Sequence, residues 1–320
     1  MHLCSFQIYD FAMTLQQLEY IIAVDQHRHF TKAAEQCFVT QPTLSAMIQK
    51  LEEELDVKIF DRNRQPIAPT PIGVHIIQQA KEILVQVDNV KQIIQEQKEE
   101  VSGNFHIGVL PTIAPYLLPR FFQAMVKKYP KLNITVSEMK TPEIKRALLT
   151  GEIDAGILAE LNDMEMYNHT HLFYEEFYAY IAREDALSEK KTIKSSDLKG
   201  EMLWLLDEGH CFRDQMVRFC NINANRKDNL TYRLGTMETF MRMVERGEGV
   251  TFVPELALDQ MSEQQKELVR PFAIPTPARR IVILTDKKFI RHSLVDTLRS
   301  EIQANIPKEM LKLKPTQVGI

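Results

Sequence analysis

Cys211 and Cys220 stand nine residues apart in the segment Asp207-Glu-Gly-His-Cys-Phe-Arg-Asp-Gln-Met-Val-Arg-Phe-Cys220. A thiolate is the sulfur form that attacks peroxides, and helix N-terminal amides or a nearby cation favour it. Cys211 follows an apolar stretch and stands near a helix start, with His210 and Arg213 as candidate cations. In one continuous helix, nine residues turn through about 900° and rise roughly 13.5 Å, so the two thiols lie on opposite faces. A disulfide needs Cα atoms within about 7 Å, so this pair closes only if the helix between them unfolds. From the residues alone a second reading stands beside this one: two unrelated thiols that fill core space, as buried free cysteines often do. The other cysteines are Cys4 and Cys37. The chain has no metal-ligand cluster, no nucleophile triad and no dinucleotide fingerprint; Gly247 and Gly249 read as turn glycines. No cofactor or metal is therefore expected, and the function expected is not an enzyme's.

The elements that must position this chemistry begin at Met13, because residues 1–12 carry no structural pattern and no secretory signal and are expected to be an N-terminal extension. Composition suits a soluble globular chain, with 44% hydrophobic and 26% charged residues and a net charge of −4. No apolar run approaches the roughly 20 residues that span a bilayer, so no membrane partner is expected. Leu15, Leu18, Ile21, Ile22 and Val24 mark a first helix, Thr31 to Cys37 a short second one, and Gln41 to about Leu55 a third. The third is capped by Thr40, carries Pro42 in its first turn, and buries Leu44, Met47, Ile48, Leu51 and Leu55 at spacings of three and four. This is a helix-turn-helix pattern, whose second helix enters the major groove. Its apolar stripe leaves Gln41, Thr43, Ser45 and Gln49 free for base edges and phosphates, with Lys32 and Lys50 placed for phosphates. Lys58 to Pro69 reads as a wing, whose Arg62 and Arg64 suit the backbone or minor groove. Pro71 then starts a long helix in which Ile76, Ala80, Ile83, Val87, Val90 and Ile94 repeat as a heptad seam, expected to pair with a second copy.

Beyond Gly103, strands alternate with helices, which predicts a mainly parallel α/β sheet. Strands are expected at 105–110, 132–137, 153–158, 177–181 and 202–206. Another follows the glycine turn in 246–254, and 280–284 returns the chain to the first unit. The expected organisation is α/β: a DNA-binding domain at 13–70, a linker helix at 71–102 and a regulatory domain at 103–310. The regulatory domain divides into subdomain I, about 103–173 with 281–310, and subdomain II, about 174–280. Residues 311–320 are expected to form a C-terminal tail.

The run Phe30-Thr-Lys-Ala-Ala-Glu-Gln-Cys-Phe-Val-Thr-Gln-Pro-Thr-Leu-Ser45, with Ile48 to Leu55 and Ile59 to Arg62, resembles the signature of LysR-type transcriptional regulators. The Asp207–Cys220 segment, with Leu110 to Pro119, is similar to the peroxide-sensing members of that family, and the likeness runs from Met13 to about Leu298. The resemblance implies a winged helix-turn-helix, a linker helix and a periplasmic-binding-protein-like effector domain of two subdomains. It implies that Cys211 is peroxidatic and Cys220 resolving. It implies that Thr112 and Thr141 hydrogen-bond peroxide, that His210, Arg213 and Asp214 shape the pocket, and that Arg280 helps to hold it. The implied partners are promoter DNA, hydrogen peroxide as signal, RNA polymerase and further copies of the chain, as homodimer and homotetramer, in the cytoplasm. The likeness weakens between Asn221 and Leu230, and a pocket histidine is replaced near Thr231. The competing expectation is a LysR-type regulator that binds a small metabolite in the cleft between the subdomains.

Overall fold

The computed structural model describes residues 13–97, 101–199, 201–207, 210–221, 236–247 and 249–320. The expectations for the 1–12 extension and for the insertion and replacement between 222 and 231 lie outside those residues. The chain divides into two units, Met1–Ile94 and Gln95–Ile320.

In the first unit, α1 (Leu15–His27) is closed by a capping box between Thr14 and Gln17. It packs with α2 (Phe30–Gln36) and α3 (Gln41–Glu54). Leu18, Ile21, Val24, Ala33, Leu44, Ile48 and Leu51 form the shared core. A wing of β1 (Phe60–Asp61) and β2 (Ala68–Pro69) pairs antiparallel, and α4 (Pro71–Gln97) follows. Gly73 lets α4 start tight against the wing: a Cβ there would lie 2.0 Å from the Ile59 carbonyl oxygen.

The heptad seam needs correction. Ala80 is 1% exposed inside this unit's own core, and Ile76 and Ile83 pack against it. The physical reason is that the first turns of α4 also carry Ile77 and Leu84, and the row through Ile77, Ala80 and Leu84 faces inward. The apolar positions left in solvent lie further along, Val90 at 62% and Ile93 at 46% exposed. Val87 is half-buried, and the Ile94 side chain lies outside the described residues.

In the second unit, β3 (Gly103–Val109), α5 (Ala114–Lys128), β4 (Leu132–Glu138), α6 (Thr141–Leu149) and β5 (Ala155–Ala159) form the expected parallel core, in the order β4-β3-β5. Then comes β6 (Tyr167–Ile181), fifteen residues long, followed by α7 (Cys211–Cys220), α8 (Met237–Arg246), β7 (Val250–Pro254), α9 (Glu263–Lys266), β8 (Val269–Pro271), β9 (Thr276–Asp286), α10 (His292–Ala304) and β10 (Gln317–Gly319). The sheet continues β5-β9-β6-β7, and these added pairings are antiparallel, as is β8 on β6. The sheet is therefore mixed rather than mainly parallel, because β6 leaves and β9 re-enters in opposite directions. The expected strand at 202–206 reduces to a bridge between Leu203 and Val250.

Two hydrophobic cores result, one under β3, β4 and β5 and one under β7, α7 and α8. β6 contributes to both, Leu172 and Phe173 to the first and Phe177 to Ile181 to the second, whereas β9 gives Ile281–Leu284 to the first. Residues 311–320 are no loose tail: β10 pairs with the start of β9, Gln317 opposite Thr276. No helix among the described residues is long and apolar enough to cross a membrane.

Glu52 shows how the first unit is fastened. Its side chain is buried, and one carboxylate oxygen accepts from the amides of Ile59 (2.8 Å) and Phe60 (3.2 Å) while the other takes Arg62 at 3.3 Å. It thus ties the end of α3 to the wing. Glu52→Ala leaves both amides without an acceptor and should cost the unit about 3 kcal/mol, read as a lower denaturant midpoint. An unchanged midpoint would show that the wing needs no such tie.

Candidate functional site

In the first unit most of the residues expected to meet nucleic acid are exposed. Lys32, Gln41, Pro42, Thr43 and Gln49 are exposed at the start and outer side of α3 and on α2. The Thr40 hydroxyl caps α3 and meets the Thr43 hydroxyl at 2.8 Å. Ser45 is half-buried and accepts a hydrogen bond from Arg62 at 3.3 Å. Arg62 is also tied to Glu52 and stacks over the Phe30 ring at 5.2 Å, so it serves the fold as well as facing solvent. Arg64, 73% exposed, pairs with Asp61 on the wing. Phe38, between α2 and α3, is 96% exposed in a left-handed backbone conformation, an apolar residue placed beside this polar face.

In the second unit the thiols stand where helix geometry puts them. Cys211 is the first residue of α7 and Cys220 the last. They face opposite cores: Cys211 packs into the one under β3, β4 and β5, and Cys220 into the one under β7. Both thiols are free.

Around Cys211 the structure gathers groups from four elements. Arg279 of β9 is fully buried and donates to the Glu175 carboxylate at 2.7 and 2.8 Å, directly across the β6–β9 ladder. The same guanidinium donates to the Thr112 hydroxyl and to the Thr112 carbonyl, each at 3.2 Å. It lies over the rings of Phe177 (5.5 Å) and Phe212 (5.1 Å), which themselves pack at 4.9 Å. Glu175 accepts in turn from the Leu256 amide.

Thr141, the first residue of α6, is buried. Its hydroxyl lies close enough to the Cys211 sulfur to favour the thiolate, yet meets full hydrogen-bond geometry with no partner among the described residues.

Burial pushes the Cys211 thiol above its ordinary 9.0. Against that act the Arg279 charge, the Thr141 hydroxyl and the main chain at Phe212 and Ala159. Cys220 has only burial acting on it, which lifts its thiol to about 12 and leaves it inert while the helix stands.

Several expected residues take other places. His210 caps α7 and is buried, but burial and the Lys140 charge push its pKa down, so it is not the cation at the thiol. Its ring meets Asp207 at 3.1 Å, and Asp207 is held by Lys140 at 2.9 Å and stays ionised below the usual carboxylate range. Arg213 is half-buried beside Trp204 and Phe240 and pairs with Asp214. Asp214 is exposed, which removes it from the pocket. Arg280 is corrected as well: it pairs with Glu160 (2.8 Å) and reaches His171. Neighbouring residues on a strand face opposite sides, so Arg279 and Arg280 cannot share a pocket. Sequence reasoning missed Arg279 and Glu175; the only signal for them was strand parity once the β6–β9 register is known.

Residues 15–74 match the bacterial regulatory helix-turn-helix protein, lysR family, and residues 98–306 match the LysR substrate binding domain. The chain is 34% identical over 300 residues to a hydrogen peroxide-inducible genes activator of Dickeya chrysanthemi, covering 92% of this chain and 98% of that protein. A full-length OxyR variant from Pseudomonas aeruginosa superposes with a TM-score of 0.75 at 33% identity, over 92% of this chain and 99% of that one. OxyR from Porphyromonas gingivalis matches at 44% identity and a TM-score of 0.64, over 68% of this chain and 99% of that one.

Arg279→Gln should lower stability by about 3–5 kcal/mol, since it leaves Glu175 buried and unpaired. Arg279→Gln with Glu175→Gln should recover most of that loss but still slow the reaction of Cys211 with peroxide at neutral pH. The thiolate reacts, and burial holds the thiol above its ordinary range, so the wild-type rate should rise with pH through neutrality, on the order of tenfold per pH unit. A stopped-flow rate independent of pH between 6 and 8 would contradict this electrostatic account.

Proposed function

Because the chain belongs to the LysR family of bacterial transcriptional regulators, among its hydrogen peroxide-inducible activators, we propose that it senses hydrogen peroxide through Cys211 and activates oxidative-stress defence genes. The observation that carries the reading is the placing of two free thiols at the two ends of one ten-residue helix, only the first of them beside a buried cation. The Cys211 thiolate attacks one peroxide oxygen; the O–O bond breaks, sulfur becomes a sulfenic acid, and the second oxygen leaves as water after taking a proton. Among the described residues the Thr141 hydroxyl meets no hydrogen-bond partner, which supports it as the group that holds the peroxide, with the Thr112 hydroxyl fixed by Arg279.

Cys220 then attacks the sulfenic sulfur, forming the disulfide and releasing a second water. That step requires α7 to unwind, which also takes Cys220 out of the burial that holds its proton. Cellular thiols reverse the bond by exchange.

The DNA contacts fall to Gln41, Thr43, Ser45 and Gln49 for bases and to Lys32, Arg62 and Arg64 for the backbone. Self-association as dimer and tetramer falls to the outer part of α4, through Val87, Val90 and Ile93. RNA polymerase is the partner of the active state, and the cytoplasm the site of action. What supports peroxide over a metabolite is that the subdomain junction around Cys211 is filled by Thr112, Thr141, His210 and the Arg279–Glu175 pair, all buried.

Brief peroxide treatment should give a Cys211–Cys220 linkage by mass spectrometry, with Cys37 free, and Cys211→Ser should lose both the linkage and promoter induction. Induction of Cys211→Ser at the wild-type level would refute the sensor. Val90→Asp with Ile93→Asp should shift sedimentation toward the monomer, because charge in a helical seam is desolvated without a partner. An intact dimer would place the interface elsewhere.

A further inference from the structure

The segment after α10 ends against the redox helix. β10 pairs in parallel with Thr276–Ala278 of β9, and the Ile320 amide donates to the Ala278 carbonyl at 3.0 Å. Gln317 donates to Glu176 at 2.6 Å, and the Thr276 amide to the Thr316 carbonyl at 2.8 Å. From α7 comes Gln215, 1% exposed, whose amide nitrogen donates to the Ile320 main-chain oxygen at 2.8 Å. Its other amide atom, Oε1, is buried and meets no partner among the described residues, so the bond to Ile320 is the one that accounts for a polar side chain there. Ile320 packs on the core that contains Phe212, Met216 and Cys220 of α7.

We propose that residues 314–320 are a redox-released strap, docked while α7 is helical and let go when the disulfide forms. The inference rests on the peroxide switch described above. Gln215 lies four residues after Cys211 and five before Cys220. Bringing Cα atoms from roughly 13.5 Å apart to within about 7 Å must consume the turn that carries Gln215. The Ile320 oxygen then loses its buried donor, and the Ile320 side chain loses part of its wall. What remains is a three-residue parallel ladder with the Gln317–Glu176 and Thr276–Thr316 bonds, a short attachment that frays once its anchor on α7 is gone. Release uncovers the edge of β9 just before Arg279. By linkage the coupling runs both ways: the docked strap favours the helical, reduced state and so raises the peroxide dose needed for switching.

Hydrogen exchange on the full-length protein tests this. Amides 317–320 should be protected in the reduced wild type, exchange quickly once the Cys211–Cys220 linkage is present, and stay protected in peroxide-treated Cys220→Ser. Gln215→Ala should expose the strap without peroxide and lower the half-oxidising dose roughly fivefold, the effect of one hydrogen bond. Gln317→Ala, on the strap itself and away from α7, should move the dose the same way, which keeps the test sound if Gln215→Ala folds poorly. A linkage that forms while the strap stays protected overturns the strap and leaves the switch standing. Unchanged doses in both variants overturn it as well. If no linkage forms at all, the switch falls and takes the strap with it.

Discussion

The buried ion pair between Arg279 and Glu175 is the interaction on which the regulatory unit depends. Neither charge meets water. A buried pair is stable only when its remaining hydrogen-bonding capacity finds partners: the Thr112 hydroxyl and carbonyl accept from the arginine, the Leu256 amide donates to the carboxylate, and two phenyl faces cover the guanidinium. Four elements are thereby fixed around one cation: the loop after β3, strands β6 and β9, and the first turn of α7 through Phe212. Cys211 follows Phe212 into place. The pair that holds the fold together is thus also the charge that the thiol feels.

The environment of Cys211 is a balance rather than a simple activation. Burial works against ionisation, and Arg279, Thr141 and the main chain work for it. A thiol held in that balance is buried and shielded from bulky electrophiles. Cys220, with burial alone, stays out of the chemistry until the helix opens. The order of events is set by two local environments, not by the intrinsic reactivity of cysteine.

The first unit was legible because Leu44, Ile48 and Leu51 leave one side of α3 polar, and the long signature from Phe30 to Arg62 separates a DNA-binding helix from a bundle helix with a solvated face. The helical relation of the two cysteines was legible for the same reason: spacing fixes face. The linker seam was only half legible. Ile76, Ala80 and Ile83 keep a heptad, but a heptad does not distinguish the chain's own core from a partner. β6 was legible over less than half its length because its first half carries an unbroken polar run, Asn168 to His171, whose partners come from far along the chain. Arg279 and Arg280 are adjacent and chemically alike, so only the register with β6 decides which one is inside. The resemblance places Asp214 with Cys211, yet three residues along the helix its side chain is exposed.

β6 has a mechanical consequence. Its first half is laddered to β9 from Tyr167 to Glu176, and the same strand runs on without a break to pair with β7. Two lobes joined through continuous paired strands resist the hinge motion by which a clamshell shuts on its ligand. A signal arising at Cys211 therefore leaves the domain by melting one ten-residue helix, and the threshold of the response is the free energy of that helix. Asp214 and Arg218 lie on its exposed side. Sensitivity to the oxidant can thus be tuned over generations by surface substitutions that alter helix stability, with the reacting centre left untouched.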